Sequence, residues 1–582
     1  MAEKQSLNHC LDSKARRAGK IALPVLKAAR AALYWDPARL QGLNMIPRWT
    51  LTSTVFVIFL ITGCSDPQDG NQRLNHPVVQ TAFGKVQGLR IDEIDVFRGI
   101  RYAADTRATR FQAPQSPTPW ADIADASQFG DTCPQAVRAG SAGLFESFRA
   151  DPEPGMSEDC LFLNVWTPSA THTPGGSNRP VLVWFHGGGF STGSGSSRTY
   201  DGSRLAQRGD VVVVTVNHRL NVFGYMALAD FGEQFAESSV AGVLDMVLAL
   251  EWVQANIAAF GGNPDNVMIF GESGGGAKVS TLLATAKAEG LFHKAVMQSG
   301  VLTKFPPRDA AKEAASEVVT RLGLNAKSIQ EILMLPTDAI LEASQGTLAG
   351  RAPTIDGKVL TRHPFFPDAA PSGRHVPLML GTNRTENSLW IVPSRPDLLE
   401  VTWETLPEAI SAALPSHNAE TVIKGYRDIA PDLSALDLYL EATTDARWLE
   451  GHVLKSEIRV ASNAAPTYLY LFDWDTPVDG GIWRSPHALE IAFVFDNVAL
   501  ARSMVGQGKT QQLVADVMSE TWLAFARTGD PNHALIPEWP AYDLSTRPVM
   551  VLNASPHLVP DARGAQRRLV SGDDDYLRRY ER

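Results

Sequence analysis

Residues 270–276 read FGESGGG, with four glycines clustered around Ser273. Glycine inside regular structure costs about 0.5–1 kcal/mol relative to alanine, so such a cluster predicts a sharp turn or a close approach of the backbone. The apolar run Asn266–Phe270 predicts a buried strand, and Ala277–Ala288 predicts a helix. Gly271–Gly275 therefore matches the G-x-S-x-G turn that raises a nucleophilic serine at a helix N-terminus. On these residues alone, an idle serine in a glycine-rich turn fits equally well.

A second glycine-rich stretch follows another predicted strand. Residues 181–193 read VLVWFHGGGFSTG, in which Val181–Phe185 is the strand. An HGGG pattern after a strand supplies backbone N–H donors to the oxyanion of an acyl-transfer reaction. We predict an oxyanion hole formed by the N–H groups of Gly188, Gly189 and Gly274. A phosphate-binding loop fits poorly, because neither a following Lys-Ser/Thr pair nor Rossmann spacing is present.

The composition is that of a globular protein. The chain has 582 residues, of which 44% are apolar and 20% are charged. Its formal charge of −10 argues against a nucleic-acid partner. Residues 1–63 carry nine basic and three acidic residues, a net +6, which leaves −16 for residues 64–582.

The N-terminal region carries an export signal. Within residues 51–65, LTSTVFVIFLITGCS, the apolar core Val55–Ile61 is too short for a membrane-spanning helix of about 20 residues. It has the size of a signal-peptide core. The sequence ITGC, ending at Cys64, resembles a bacterial lipobox, whose cysteine is lipidated and begins the mature chain. The alternative is a buried apolar segment with an incidental cysteine.

These features predict a division of the chain into three parts. Residues 1–44 are expected to be an upstream extension produced by a mis-assigned start, with translation beginning at Met45. Residues 45–63 are a lipoprotein-type signal peptide, and residues 64–582 form the enzyme domain. We expect an exported cell-envelope lipoprotein that contacts the membrane only through a lipid anchor at Cys64. Ser65, which stands in place of an aspartate directly after the cysteine, favours the outer membrane of a Gram-negative host.

The ordered motifs between about residues 78 and 552 identify a family. The chain resembles the type-B carboxylesterases, the carboxylesterase and cholinesterase-like branch of the α/β-hydrolases. The resemblance implies a mostly parallel, twisted central sheet flanked by helices, with a helical cap formed by residues 301–375 and 390–460. One departure is Gly274, where the family usually has alanine; the donor N–H is kept. The matching stretches include Phe97–Ile100, Arg110–Phe111, Cys133–Gln135, Glu158–Val165, Asn217–Leu220, Phe260–Gly262, Leu291–Ala295, Gly529–Asn532 and Trp539–Asp543.

The remaining catalytic residues follow from the chain order serine, acid, histidine. A strand is predicted at Pro377–Gly381, and the family's G-x-N-x-x-E pattern after it places the acid at Glu386. Asp356 is the runner-up, but its surroundings are those of a turn aspartate. His487 follows a strand predicted at Thr467–Trp474 and lies in the family's H-A-x-E context. The other histidines of this part are expected to be surface residues: His417, His452, His533 and His557.

The resemblance implies the roles of these residues. Ser273 forms an acyl-enzyme, His487 carries its proton, and Glu386 fixes the imidazole. Glu272 is expected to support His487 electrostatically, and no metal or cofactor is implied. Two structural ion pairs are also implied, Arg110 with Glu158 and Arg219 with Asp245.

Cys133 and Cys160 indicate the cellular compartment, and the loop between them bears on the substrate. Two cysteines in the body of an exported protein, Cys133 and Cys160, favour one disulfide, with two unrelated buried thiols as the alternative. In the cholinesterases the loop between these cysteines carries a tryptophan that binds choline; here it has none. A choline ester is therefore not expected. The loop carries Phe145, Phe148, Arg138 and Arg149, which favours an uncharged or anionic ester. The alternative is that the two arginines face solvent and do not contact the substrate.

Other functions remain compatible with the same triad. An amidase, or a hydrolase of polymer or toxin esters, would use the same three residues. A catalytically silent binding protein of this family would lack one of them. The sequence predicts a small-molecule ester substrate and gives no indication of oligomeric state.

Overall fold

A computed structural model of the protein describes residues 76–136, 143–150, 152–169 and 178–571. The expected signal peptide, Cys64 and Arg138 lie outside these ranges. In chain order, the strands are β1 Val78–Gln80, β2 Lys85–Gln87, β3 Leu89–Ile91, β4 Ile94–Arg101, β5 Ile123–Asp125, β6 Phe162–Pro168, β7 Arg179–Phe185, β8 Val212–Val216, β9 Gly262–Glu272, β10 Lys294–Gln298, β11 Leu378–Asn383, β12 Thr467–Phe472, β13 Pro548–Leu552 and β14 His557–Pro560.

The larger of the two described sheets has eleven strands in the order β14-β13-β12-β11-β10-β9-β7-β8-β6-β4-β3. From β8 through β7 and β9 to β13, neighbouring strands run parallel. The flanking strands β14, β6, β4 and β3 pair antiparallel. Strands β1, β2 and β5 form the small second sheet. In such sheets ligands bind at the carboxyl ends of the parallel strands, so the ends of β7 and β9 meet where a site is expected.

The α-helices of the described residues flank this sheet. In chain order they are α1 Ser203–Gly209, α2 Asn221–Tyr225, α3 Ala241–Asn256, α4 Gly274–Leu283, α5 Arg308–Arg321, α6 Thr337–Ser344, α7 Pro371–Arg374, α8 Ser388–Ser394, α9 Pro396–Leu399, α10 Leu406–Ala413, α11 Ala419–Ile429, α12 Ala435–Thr444, α13 Glu450–Ala461, α14 Ile491–Val494, α15 Arg502–Val505, α16 Lys509–Thr528 and α17 Gly564–Val570.

Alternating side chains of the central strands enter two cores, one on each face of the sheet. On β7, Val183 packs with α3 and α4 in one core, whereas Trp184 packs with α14 and α16 in the other. This alternation follows from the two-residue period of a strand. Because helices cover both faces, strands such as Val212–Val216 are buried along their whole length, and this strand is apolar except for Thr215. The arrangement confirms the expected fold class.

The helical stretch around α3 is long and apolar. Within Glu233–Phe260, a segment of 18 residues has a mean hydropathy of 1.4, enough in length and composition to cross a membrane. Of that segment, 67% is buried inside the protein. A helix that is apolar on all sides is typical of a protein core as well as of a membrane span.

The regions expected to form the cap are helical. Helices α5 and α6 build a separate apolar cluster with α2, and α10–α12 build another. A π-helical turn, Asp445–Leu449, joins α12 to α13. Such turns often occur at functional sites, and this one carries Trp448 beside His487.

Two predicted element boundaries need correction. The helix expected at Ala277–Ala288 begins at Gly274, because the glycines after Ser273 are themselves helical, and it ends at Leu283. Residues Ala286–Ala288 form a separate 3₁₀ turn. The strand expected to reach Trp474 ends at Phe472, the last residue that pairs with β11 and β13.

Both expected ion pairs are present and buried. Arg110 pairs with Glu158 through two hydrogen bonds of 2.5 and 2.6 Å. Arg219 pairs with the fully buried Asp245, with Nη2 2.6 Å from Oδ1. Arg110 also donates to backbone carbonyls before α6, such as Leu335 O at 2.6 Å. These pairs tie the sheet to the helices around it.

Cys133 and Cys160 form the expected disulfide. It closes a loop between residues that are 27 apart in sequence. Near the start of the loop lies Gln135, whose side-chain amide exchanges two hydrogen bonds with the backbone of Gly193, at 2.7 and 3.0 Å. The disulfide therefore anchors a segment that contacts the glycine-rich loop after β7.

We expect the double variant Cys133→Ala/Cys160→Ala to lose roughly 3 kcal/mol of unfolding free energy, because cross-linking this loop restricts the unfolded chain. Urea denaturation under oxidising conditions measures the loss. Dithiothreitol should lower the stability of the wild type to a similar extent and leave the variant unchanged. Equal stability of wild type and variant without reductant would contradict the expectation.

Candidate active site

Ser273 lies at the turn between β9 and α4. Its backbone has φ 58° and ψ −118°, a conformation that costs a residue with a side chain about 1–3 kcal/mol and that clusters at functional sites. Ser273 N donates to Gln298 O at 2.8 Å, and Ser273 O accepts from Ala277 N at 3.0 Å. Every residue from Val267 to Thr285 is buried except Ser273, which is partly exposed. The turn thus presents one hydroxyl to solvent.

Close backbone packing holds this turn in place. A β-carbon added at Gly275 would lie 2.0 Å from Phe185 O, and one at Gly274 would lie 2.2 Å from Gly189 O. The first turn of α4 therefore packs directly on the end of β7, with no room for side chains. Alanine, the usual family residue at position 274, does not fit here without a backbone shift.

The residues after β7, Gly187–Gly193, are called the glycine loop below. Gly188 and Gly189 have φ of 84° and 64°, which favour glycine. A β-carbon at Gly187 would lie 3.6 Å from Ser273 Cβ, so the loop lies against the serine. Within the described residues, the N–H groups of Gly188, Gly189 and Gly274 donate to no other group. The three predicted oxyanion donors are therefore close together and unpaired.

Side chains from distant segments hold the glycine loop. At its far end, Gln135 bonds both the N–H and the C=O of Gly193. At its near end, Lys278 Nζ donates to His186 O at 2.7 Å. Neither residue could be predicted in this role, since no motif marks a buried lysine or a loop glutamine as a support for another loop.

Glu386 follows β11 and is fully buried. One carboxylate oxygen, Oε1, accepts hydrogen bonds from Ser299 Oγ at 2.6 Å, Thr382 Oγ1 at 2.5 Å and Asn383 N at 2.8 Å. The other oxygen, Oε2, bonds His487 Nδ1. Burial raises the pKa of Glu386, but His487 and the donated hydrogen bonds outweigh it and hold the pKa below its usual value.

His487 lies between two carboxylates. Nδ1 contacts Glu386, and Nε2 lies 3.0 Å from Glu272 Oε1, without the alignment of a hydrogen bond. Burial lowers the pKa of His487, but the charges of Glu272 and Glu386 raise it well above its usual value. Burial in turn raises the pKa of Glu272, with His487 opposing. Glu272 thus lies where the resemblance placed it.

A third carboxyl group, Glu490, lies in the same buried cluster. Its oxygens accept from Asn383 Nδ2 at 2.8 Å and Gln298 Nε2 at 3.1 Å. Burial, followed by the charges of Glu272 and Glu386, raises its pKa to about 8. At neutral pH this group is therefore mostly protonated, which limits the negative charge around His487. The sequence context showed Glu490 only as part of a motif.

Two tryptophans flank the histidine. The ring of Trp390, on α8, lies 4.8 Å from the ring of His487, and Trp448 lies 6.2 Å from it. The two indoles stack on each other at 5.8 Å. Trp448 is buried, whereas Trp390 is 43% exposed. An aromatic wall therefore borders the site on the cap side; the sequence did not indicate it.

The other candidates from the sequence lie elsewhere. Asp356 caps a turn by accepting from Leu360 N at 2.8 Å, as expected. His557 is exposed and His533 bonds Thr521 at 2.9 Å. The expectation of a surface position is wrong for His452, which is fully buried because its face of α13 packs into the protein.

One cavity of about 320 Å³ shares no lining residue with this site. Its wall includes Arg101 and Trp120. Arg101 is already paired with Asp159 at 2.6 and 2.8 Å, and Trp120 Nε1 donates to Lys85 O at 2.9 Å. In the described ranges, no cluster of three or more His, Cys, Asp or Glu side chains could hold a metal ion.

The chain is similar in sequence and in fold to known esterases. The profile of the carboxylesterase family matches residues 75–568. A para-nitrobenzyl esterase of Bacillus subtilis is 34% identical over 507 residues, which cover 85% of this chain and 98% of that enzyme. A carboxylesterase structure from Geobacillus stearothermophilus aligns with a TM-score of 0.72 at 35% identity, over 85% of this chain and 100% of that one. A Clostridium hathewayi esterase described as hydrolysing aliphatic aromatic polyesters aligns with a TM-score of 0.73 at 31% identity, over 85% and 98%. The chain therefore belongs to the carboxylesterase family and is a carboxylic ester hydrolase with the α/β-hydrolase fold.

Proposed function

We propose that Ser273, His487 and Glu386 are the catalytic triad of this carboxylesterase. The observation that carries the proposal is the exposure of Ser273 alone within a buried segment, on a strained turn beside three unpaired N–H donors. The bond between Glu386 and His487 supports the assignment of the other two residues. An exposed serine beside oxyanion donors, together with a histidine held by a buried carboxylate, is the pattern expected of an acyl-transfer site.

In the proposed reaction, Ser273 Oγ attacks the ester carbonyl carbon while His487 Nε2 takes the hydroxyl proton. The carbonyl π electrons move to the oxygen, which the N–H groups of Gly188, Gly189 and Gly274 stabilise. The C–O bond to the alcohol then breaks, and His487 returns the proton to the leaving oxygen. Water, deprotonated by His487, then attacks the acyl carbon; the bond from this carbon to Ser273 Oγ breaks, His487 returns the proton to Oγ, and the acid is released. Throughout, Glu386 keeps the proton of the neutral imidazole on Nδ1.

Glu272 and Glu386 together favour the protonated imidazole that forms during each half-reaction. Because both carboxylates are buried, water screens their attraction for that charge only weakly. As a consequence, His487 of the free enzyme binds a proton more readily than an ordinary histidine. Glu490, mostly protonated at neutral pH, adds hydrogen bonds without a full third charge.

We further propose that the substrates are uncharged esters with an aromatic or similarly flat group next to the reacting carbonyl. The half-exposed Trp390, stacked on Trp448 beside His487, supports this. Arg149 supports it as well, because it is exposed and lies 3.9 Å from Glu153, so it offers little to an anionic substrate. The aromatic polyester activity of the Clostridium relative is compatible with the same wall of indoles.

The triad is tested with p-nitrophenyl esters of C2 to C12 acids and matching benzoates, on wild type and Ser273→Ala. We expect the variant to lose at least 1,000-fold in kcat, since it removes the nucleophile. Ser280→Ala, another serine of α4, is the matched control and should keep wild-type activity. A fluorophosphonate should label wild type and the control but not Ser273→Ala. A folded Ser273→Ala enzyme with more than a tenth of wild-type activity would overturn the assignment.

The charge of Glu272 predicts a shift in pH dependence. Catalysis needs neutral His487, so kcat/KM rises with pH through the pKa of this histidine. Glu272→Gln removes a negative charge that raises this pKa, and the acid limb should move to lower pH. The profile of kcat/KM between pH 4 and 9 measures the shift. Glu251→Gln, at an exposed position of α3, should leave the limb in place; a limb that stays put or moves upward in Glu272→Gln would contradict the expectation.

We also propose that the protein is exported and anchored through a lipid on Cys64. The disulfide between Cys133 and Cys160 supports export, since disulfides persist in oxidising compartments. The lipobox-like sequence before Cys64 supports the anchor.

Feeding an alkyne fatty acid to bacteria that carry the coding sequence for residues 1–582 tests the anchor. We expect label on the wild type in the membrane fraction and a loss of label in Cys64→Ser, because the acceptor thiol is gone. Cys10→Ser should keep its label, since residues 1–44 are expected to be untranslated. Unlabelled wild-type protein in the soluble fraction would exclude the anchor.

A further inference from the structure

A fully buried lysine, Lys278, lies on α4 one turn beyond Ser273. Lysine is rarely buried completely, because removing its charge from water is costly. Its Nζ donates one hydrogen bond, to His186 O at 2.7 Å, and lies 5.8 Å from the centre of the Phe190 ring. His186 directly precedes the glycine loop, and Phe190 lies within it, directly after Gly189. A costly buried group is thus directed at the backbone that carries the proposed oxyanion donors.

Lys278 also faces a charge of the site. Burial lowers its pKa well below the usual value, and the charge of Glu272 opposes that change. In either protonation state the amine keeps an N–H to give to His186 O. The hydrogen bond to the loop therefore does not depend on the charge of the lysine.

Two stacked imidazoles complete the layer under the loop. The rings of His186 and His218 are parallel within 4° and 4.8 Å apart. Burial, with the nearby Lys278, lowers the pKa of both, so both are neutral. Each Nδ1 lies by a backbone oxygen, Gly187 O at 2.9 Å and Arg219 O at 3.1 Å, which assigns the proton to Nδ1. This layer is packed and cannot shift freely.

The glycine loop needs such support from outside. Gly187, Gly188 and Gly189 have no side chains to fix them, and two of them adopt positive φ. Glycine loses more conformational freedom on folding than any other residue, so a run of three is intrinsically loose. The hydrogen bond from Lys278 to His186 O fixes the plane of the His186–Gly187 peptide. The orientation of this peptide in turn determines where the N–H groups of Gly188 and Gly189 point. Gln135 fixes the other end at Gly193.

We propose that Lys278 is a positioning residue of the esterase reaction, which holds the glycine loop in the conformation that stabilises the oxyanion. The inference rests on the proposed roles of Ser273 and of the N–H groups of Gly188 and Gly189. Lys278 does not touch the substrate and acts through His186 O. The N–H groups of the glycine loop bond the substrate's carbonyl oxygen fully only when it becomes an oxyanion. A less rigid loop therefore slows the reaction step more than it weakens substrate binding.

The test compares Lys278→Met with Lys294→Met. Lys294 is also buried and bonds Asn266, but it lies at the opposite end of β10 from Ser299. For each variant, kcat and KM are measured with p-nitrophenyl butyrate, together with the inhibition constant of an alkyl trifluoromethyl ketone, which forms a tetrahedral oxyanion on the serine. Thermal unfolding shows that the protein tested is folded.

We expect Lys278→Met to lower kcat at least tenfold with KM within threefold of wild type. Its affinity for the trifluoromethyl ketone should fall by a similar factor. Lys278→Arg, which keeps a donor, should recover part of both losses, and Lys294→Met should keep wild-type kcat even if it unfolds at lower temperature.

The inference is overturned by a folded Lys278→Met enzyme with kcat and ketone affinity within twofold of wild type, or by equal losses in Lys294→Met. If Lys278→Met does not fold, Lys278→Gln takes its place. Failure of both to fold, while Lys294→Met folds, would assign the lysine to core stability and exclude the positioning role. An active Ser273→Ala enzyme would instead overturn the proposed triad, so the two failures are distinct.

Discussion

The contact between the first turn of α4 and the end of β7 is the constraint on which the site depends. Carbonyl oxygens of Phe185 and Gly189 occupy the space that β-carbons would need at Gly275 and Gly274. Two neighbouring parallel strands thereby bring their carboxyl ends into backbone contact. One contributes the exposed serine and the other contributes unpaired N–H groups. Side chains at these positions would force the two ends apart and separate Ser273 from the N–H groups of Gly188 and Gly189.

The buried polar cluster around His487 limits the repulsion between neighbouring carboxylates. Three carboxyl groups and one imidazole lie out of contact with water, where like charges repel strongly. The cluster tolerates them because each is held differently: Glu386 by three hydrogen bonds, Glu272 by His487, and Glu490 as a mostly neutral acid. The result is a histidine whose protonated form is stabilised from both sides.

Rigidity at the glycine loop comes from residues remote in sequence. Gln135 belongs to the disulfide-closed segment, and Lys278 belongs to the helix after the nucleophile. Both bond to main-chain atoms, so a loop without side chains can still be held at two points. Two tryptophans also border the site. Trp448 lies on a π-helical turn, and Trp390, which stacks on it, lies close to Glu386 in sequence. The site is thus assembled from strand ends and supported by the elements around them.

The sequence by itself determined the parts of the protein whose chemistry is local. Glycine clusters after apolar strands marked Ser273 and the loop at Gly188, and the G-x-N-x-x-E and H-A-x-E patterns selected Glu386 and His487, which the structure brings together. The sequence could not indicate that His452 is buried, where α4 begins, or that Trp390, Lys278 and Glu490 surround the site. Those features depend on which faces of separate helices meet the sheet. Local patterns fix the turns and strands, because backbone sterics and apolar periodicity act between near neighbours. The environment of the proposed catalytic groups is decided only when distant segments pack, since burial and electrostatic interaction belong to neighbours in space.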